Sequence, residues 1–85
     1  MKTFSEKVRD IVRMIPEGKT MTYKEVATAA DNPKAARGVG AIMRANFNHD
    51  IPCHRVIRSD GTLGNYNRGG EKRKREILKA EKAYW

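Results

Sequence analysis

The sequence predicts a mainly α fold, a winged-helix-like helix-turn-helix domain with a short strand or strand pair near its single cysteine. Three observations predict it. Apolar residues recur at helical spacing through the first fifteen positions, two Thr-x-x-Glu capping boxes open successive helices, and a third helix-like segment follows the second after only a few residues.

Thr3-Phe4-Ser5-Glu6 is the first capping box, in which the Thr hydroxyl and the Glu carboxylate each satisfy an orphan backbone N–H. Phe4, Val8, Ile11, Val12 and Ile15 then mark one apolar face, so a helix is expected over about 4–14. Pro16-Glu17-Gly18 ends it. Thr22-Tyr23-Lys24-Glu25 is the second box and opens a short helix over about 23–30, with Val26, Ala27 and Ala30 inward. Asn32 as N-cap and Pro33 at the first helical position predict a third helix over about 33–45. Within it, glycine costs up to ~1 kcal/mol per position, so Gly38 and Gly40 mean either close approach to the backbone or tight helix packing.

Ile51 to Ile57 reads as a short strand. Pro52 biases Ile51 to extended backbone and leads into a tight turn that would hold Cys53 at the floor of a pocket. Ser59-Asp60-Gly61-Thr62 is a turn signal, and Leu63 to Gly70 is a glycine-rich loop around Tyr66. The loop fits neither GxxxxGK[ST] nor GxGxxG, so nucleotide binding is not supported; a phosphate cradle and a flexible connection both stay open. Glu71 to Trp85 is the last predicted helix, with Ile77, Leu78, Glu81, Tyr84 and Trp85 on one face. Its run Lys72-Arg73-Lys74-Arg75 reads first as a solvated face, with phosphate contact as the alternative.

With 85 residues, the chain has room for one domain over 1–85 and one modest core. Lys plus Arg total 18 against 10 Asp plus Glu, a net charge of +8, which points to a polyanionic partner, nucleic acid first. A membrane is the weaker candidate. The apolar residues are scattered, no run approaches the ~20 residues of a spanning helix, and no signal peptide is evident, so an intracellular protein is expected. One cysteine excludes an internal disulfide, and with His49 and His54 it makes a poor closed zinc site, so no metal is expected.

The chemistry-bearing stretch is Ile51-Pro52-Cys53-His54-Arg55-Val56. A thiol attacks as thiolate, and a neighbouring imidazole or guanidinium lowers the cost of that charge. Equally, Cys53 can be a small buried apolar residue beside a satisfied histidine.

This stretch resembles the active-site signature of the O6-alkylguanine-DNA alkyltransferases, which repair alkylated guanine by taking the alkyl group onto their own cysteine. Ile15-Pro16-Glu17-Gly18, Thr22-Tyr23, Asn32-Pro33-Lys34-Ala35-Ala36-Arg37, Ser59-Asp60-Gly61 and Gly64-Asn65-Tyr66 are similar to family segments in the family's order. The resemblance implies that Cys53 is the nucleophile, that His54 acts on it through a water, and that Glu81 orients the histidine. It gives Tyr23 the task of donating to guanine N3, and makes Arg37 the arginine finger that fills the gap left by a flipped nucleotide. It places the third helix in the minor groove, where Ala35, Ala36, Gly38 and Gly40 would meet DNA with little side-chain bulk and Lys34 would also contact it. Asn46 would brace the active-site turn and Tyr66 would wall the pocket. The backbone of Cys53, Val56 and Asn67 would read the guanine edge.

The partner implied is double-stranded DNA containing O6-alkylguanine, bound by a monomer, with side-by-side binding open; no cofactor is implied. The compartment would be cytoplasmic in a prokaryote and nuclear in a eukaryote. The chain corresponds to the catalytic and DNA-binding domain, without the N-terminal domain many members carry. It departs from the family in a shorter Asn46–Cys53 segment, in Phe47 where proline is common, in Asn67 where serine is frequent, and in the added Arg68. Two other functions fit parts of the pattern: a non-catalytic alkyltransferase-like lesion binder, and a helix-turn-helix regulator reading the major groove. Cys53 argues against the first, and the small side chains of the third helix against the second.

Overall fold

Both capping boxes form. In a computed structural model describing residues 2–48, 50–60, 62–64 and 66–83, Thr3 accepts from the Glu6 N–H at 3.2 Å and Glu6 from the Thr3 N–H at 3.1 Å. They open helix α1 (Phe4–Arg13). Thr22 and Glu25 repeat the exchange at 3.0 and 2.8 Å to open α2 (Tyr23–Ala29). Between them, Lys19 N–H donates to Pro16 O at 3.1 Å across a turn whose third residue, Gly18, has φ +88°. That conformation favours glycine.

Val8 and Val12 of α1 bury against Val26 and Ala27 of α2 and against Val39 and Met43 of α3 (Ala36–Arg44). Burying a side chain of this size contributes roughly 1.5–3 kcal/mol, so this three-helix cluster holds the helix-turn-helix together. Ile51, Cys53 and Val56 extend it towards the functional stretch.

The third helix starts three residues later than predicted. Asp31 takes φ 65° as the chain leaves α2, and Asn32 N–H donates back to Ala27 O at 2.9 Å. Asn32 O then accepts from Ala35 N–H at 3.0 Å, which puts Pro33 at the second position of a tight turn. Asn32 is therefore not a helix cap, and α3 begins without a side-chain cap. A turn's second position and a helix's first demand the same proline φ, so the sequence alone does not separate them.

The predicted strand over 51–57 shrinks to β2 (Val56–Ile57), which pairs in parallel with β1 (Met21–Thr22) in the register Met21↔Val56 and Thr22↔Ile57. Ahead of it, Cys53–Arg55 form a 3₁₀ turn. Cys53 N–H donates to Ile51 O at 2.8 Å, Arg55 N–H to Pro52 O at 2.9 Å, and Val56 N–H to Cys53 O. These donors are spent locally and cannot join a ladder. Tyr23 and Arg58 are the residues that directly follow this pairing on the two segments.

The last helix, α4, spans Gly70–Ala80, with Glu81 as its C-cap and Lys82 at φ 60°. The predicted helix to Trp85 thus ends early, because Lys82 turns left-handed after Glu81; Tyr84 and Trp85 lie outside the described residues, as do His49, Gly61 and Asn65. The basic run is not uniformly solvated: Lys72, Arg73 and Arg75 are exposed, whereas Lys74 is fully buried. Among the described residues no helix is long and apolar enough to cross a membrane.

Candidate active site

The helix-turn-helix and the 3₁₀ turn enclose a cavity of about 640 Å³. Tyr23 and Lys24 reach it from the start of α2, Arg37, Gly40, Ala41 and Arg44 from α3, and Arg58, Tyr66 and Asn67 from the segments after β2. Cys53 lines it at only 4 % exposure, which places the thiol at the bottom rather than the rim. The described lining carries four cations, Lys24, Arg37, Arg44 and Arg58, and no carboxylate. Such a wall attracts an anionic ligand.

Next to the thiol, His54 Nε2 donates to Glu81 Oε2 at 3.0 Å. Glu81 is ionised at neutral pH, because the Arg55 hydrogen bond holds its carboxyl below the usual range, and a carboxylate can only accept. The proton on this side of the imidazole is thereby fixed, and Nδ1 keeps the lone pair. Burial lowers the His54 pKa, outweighing the opposite pull of Glu81, so the ring is a neutral base. Tyr66 packs against it edge-on, with centroids 6.4 Å apart and planes at 77°.

Arg55 serves a different purpose from the one its position beside Cys53 suggested. Its Nε and Nη2 donate to the two Glu81 oxygens at 3.0 and 2.8 Å, and its Nη1 donates to Ile15 O at 2.8 Å. It is committed to the carboxylate and to the end of the first helical segment. The local electropositive group that the sequence offered to the thiolate is thus spent on positioning Glu81.

Asn46 is buried, and its Nδ2 donates to Ile51 O at 3.2 Å while its Oδ1 accepts from Asn48 N–H at 3.1 Å. It ties the end of α3 to the residue two before Cys53. Asn67 Nδ2 donates to Arg44 O and Asn46 O, both at 2.6 Å, which satisfies carbonyls at the C-terminal end of α3. Of the five residues expected around the pocket, Tyr23, Tyr66 and Asn67 line it, while Asn46 and Val56 are buried and do not belong to its lining. The N–H groups of Cys53 and Val56 are occupied, so these two can meet a purine edge only through carbonyl lone pairs.

Of the residues expected at DNA, Ala36, Arg37 and Gly40 line the cavity; Arg37 is exposed, as is Lys34, which lies in the turn before α3. Ala35 is the last residue before that helix. Gly38 faces inward: a Cβ there would meet Phe4 Cε2 at 3.5 Å. Gly40 has nothing within 4 Å of the same position. Ala41 and Arg44, which sequence reasoning did not single out, follow Arg37 at helical spacing and were legible in that way. Arg58 and Lys24 were not, since their places depend on the strand pairing.

The family model described as 6-O-methylguanine DNA methyltransferase, DNA binding domain, matches residues 3–83. The methylated-DNA–protein-cysteine methyltransferase of Rattus norvegicus is 47% identical over 72 residues, covering 84% of this chain and 34% of that protein. The protein of that name from Methanothermobacter thermautotrophicus is 48% identical over 79 residues, covering 92% of this chain and 43% of its own length. The chain therefore spans less than half the length of these relatives. Among solved structures, Mycobacterium tuberculosis OGT in complex with DNA superposes with a TM-score of 0.88 at 39% identity, covering 98% of this chain and 51% of that one. S. pombe Atl1, in complex with damaged DNA containing O6-carboxymethylguanine, gives 0.82 at 38% identity, covering 95% and 79%.

Proposed function

This chain belongs to the 6-O-methylguanine DNA methyltransferase family, and from that membership we propose that it repairs DNA by transferring an alkyl group from guanine O6 to Cys53. The observation that carries the proposal is that one cavity is lined by the Cys53 thiol, the Tyr23 phenol and the Arg37 guanidinium. A nucleophile, a donor for the leaving purine and a side chain to occupy the vacated stack thus converge on one space.

In the proposed reaction, Arg37 enters the duplex and the alkylated nucleotide rotates into the cavity, because its O6 carbon is out of reach within the stack. His54 Nδ1 takes the Cys53 proton through an intervening water, with Glu81 holding the imidazole in the required tautomer. The thiolate attacks the alkyl carbon; the carbon–sulfur bond forms as the carbon–O6 bond breaks, and the electron pair passes to guanine. Tyr23 stabilises the charge appearing on the purine by donating to N3. The product is a thioether, which water does not readily cleave, so each polypeptide reacts once and no cofactor is consumed. The cationic lining supplies phosphate attraction, and lesion-independent binding weakens as salt rises.

The test is the intact mass of the protein after incubation with duplex DNA containing O6-methylguanine. One added methyl located on Cys53, and absent in Cys53→Ala, is expected. Tight lesion binding with no mass change would replace transfer by lesion recognition alone. Affinity that follows DNA sequence and ignores the lesion would remove both.

A further inference from the structure

Helix α4 sends one cation inward. Lys74 is fully buried; its Nζ donates to Leu63 O at 2.6 Å and to Tyr23 Oη at 3.4 Å, and lies 5.6 Å from the centre of the Tyr23 ring. Among the described residues its hydrogen-bond partners are a carbonyl and a phenol, not a carboxylate. A buried ammonium without a bonded anion is costly, and nothing in the transfer reaction described above uses it. It is not part of the cavity wall. It stands behind Tyr23, whose own surface lines the cavity together with Cys53.

Donor and acceptor bookkeeping gives this contact a direction. An ammonium has three protons and no lone pair; a phenol has one proton and two lone pairs. Where Lys74 meets Tyr23, the tyrosine can only accept, and its single proton has to be donated elsewhere. Leu63 O is already taken by the ammonium. Gly64, at φ +77°, lies close by without a side chain: a Cβ there would stand 3.3 Å from Tyr23 Oη. Among the described residues no acceptor takes the Tyr23 proton, and Tyr23 lines the cavity, so a ligand held there can take it.

We propose that Lys74 is a positioning residue for alkyl transfer, whose ammonium, held behind the pocket, occupies a lone pair of Tyr23 and thereby fixes that hydroxyl as a donor towards the bound purine. This rests on the reading that Tyr23 donates to guanine N3. As the carbon–O6 bond breaks, negative charge grows on the purine and draws the Tyr23 proton. Should that proton pass fully, the O–H bond breaks, an N3–H bond forms, and the electron pair stays on Tyr23 Oη facing the ammonium.

A neutral amine would behave in the opposite way. It has a lone pair, accepts from Tyr23 and turns the hydroxyl away from the substrate. Burial brings Lys74 down to about 8, with Cys53 opposing, Arg58 adding to the fall and Glu71 opposing it. The other titratable groups facing it are Tyr23 and His54. The Tyr23 phenol is itself raised by burial, so it stays protonated while the amine changes state.

The test measures transfer from free O6-alkylguanine base by wild type, Lys74→Met, Tyr23→Phe and the double variant, over pH from about 6.5 to about 9.5. At neutral pH each single variant is expected to react about tenfold more slowly, the loss of one oriented hydrogen bond, and the double variant no more slowly than either. The wild-type rate falls as pH passes about 8, a limb missing from both single variants. Lys74→Arg, which again donates without accepting, recovers part of the rate only when Tyr23 is present. Losses that multiply in the double variant, or a basic limb that persists in Tyr23→Phe, would make Lys74 merely structural and overturn the proposal. A slow Tyr23→Phe beside an unaffected Lys74→Met would sink this inference alone, whereas wild-type rates in Tyr23→Phe would sink the tyrosine reading and this one with it. Should Lys74→Met fail to fold, the wild-type and Tyr23→Phe profiles still decide.

Discussion

The Arg55 guanidinium closes a two-point clamp on the Glu81 carboxylate, Nε to Oε1 at 3.0 Å and Nη2 to Oε2 at 2.8 Å, with both side chains largely shielded from water. Glu81 is the C-cap of α4, while Arg55 also holds Ile15 O beyond the end of α1. The pair therefore joins the first and last helices across the 3₁₀ turn that carries Cys53 and His54. Removing the guanidinium leaves Ile15 O without its side-chain donor and the Glu81 carboxylate with His54 alone. Arg55→Ala is expected to destabilise the fold by about 2–4 kcal/mol in denaturant unfolding. Arg55→Lys should recover only part of that, because a point charge cannot make the parallel fork. Equal stability of Arg55→Lys and wild type would show that the fork geometry is irrelevant.

Acid should act on this cluster through two groups in the same direction. Glu81 has its folded pKa lowered from 4.5, chiefly by the Arg55 hydrogen bond, so its contribution is present above pH 4.5 and lost as pH falls through the folded value. His54 has its folded pKa lowered from 6.5 by burial, so the unfolded chain takes up its proton first and stability declines as pH drops below 6.5. Unfolding midpoints should fall from pH 6.5 downward. The acid limb of alkyl transfer should lie below 6.5 for the same reason, since the base remains neutral there. Glu81→Gln removes the charge that opposes burial; the limb should move further down and the rate fall by roughly tenfold or more. An NMR titration of His54 centred at or above 6.5 would contradict this.

The capping boxes and the helix-turn-helix were legible because each is written in local chemistry. Where local rules were ambiguous, tertiary structure decided. Asn32-Pro33 satisfies both a helix start and a tight turn, and the way the chain leaves α2 through Asp31 selects the turn. Ile51–Arg55 reads as strand by composition, but only Val56 and Ile57 find a partner in β1. Lys74 was concealed by its charged neighbours. The spacing 74, 77, 78, 81 continues the inward face of α4 back to it, and a lysine on that face is a burial signal that a charge run masks. The contribution of Arg58 to the cavity could not be read at all, because it follows from a parallel register between segments far apart in the chain.

The two open readings of the small residues in α3 separate at Gly38 and Gly40. A methyl at Gly38 makes ordinary contact with Phe4 Cε2 at 3.5 Å, so Gly38→Ala should stabilise the helix by up to about 1 kcal/mol and leave DNA binding unchanged. At Gly40 a methyl meets nothing within 4 Å, so Gly40→Ala should stabilise the helix by about 0.5–1 kcal/mol. Under the proposed docking of α3 on DNA the same methyl would meet the duplex, and affinity for duplex DNA should weaken by roughly 1–2 kcal/mol. Unchanged affinity in Gly40→Ala would mean that α3 does not approach DNA by its backbone there.

Arg37 is exposed at the cavity lining and belongs to no ion pair among the described residues, which suits insertion into a duplex better than a structural task. Arg37→Ala should slow repair of duplex substrate by roughly a hundredfold or more while reaction with free alkylated base changes by less than about threefold, since only the duplex has to be held open. Equal losses on the two substrates would make Arg37 part of the pocket instead.

Lys74 also leaves a signature in stability that is independent of any substrate. Its folded pKa is lowered from 10.5 to about 8, so between these values the unfolded chain holds a proton that the folded chain has given up. Stability therefore rises with pH across that interval, and below about 8 the folded protein bears the cost of keeping the ammonium buried. The shift corresponds to about 3 kcal/mol, and because Lys74→Met carries the same tyrosines, their ionisation near pH 10 cancels in the comparison. Wild type should gain stability relative to Lys74→Met from pH 8 to pH 10, as read from paired denaturant curves. A constant difference across that range would mean the lysine is solvated in the folded chain, in which case it could not hold the Tyr23 hydroxyl in one orientation.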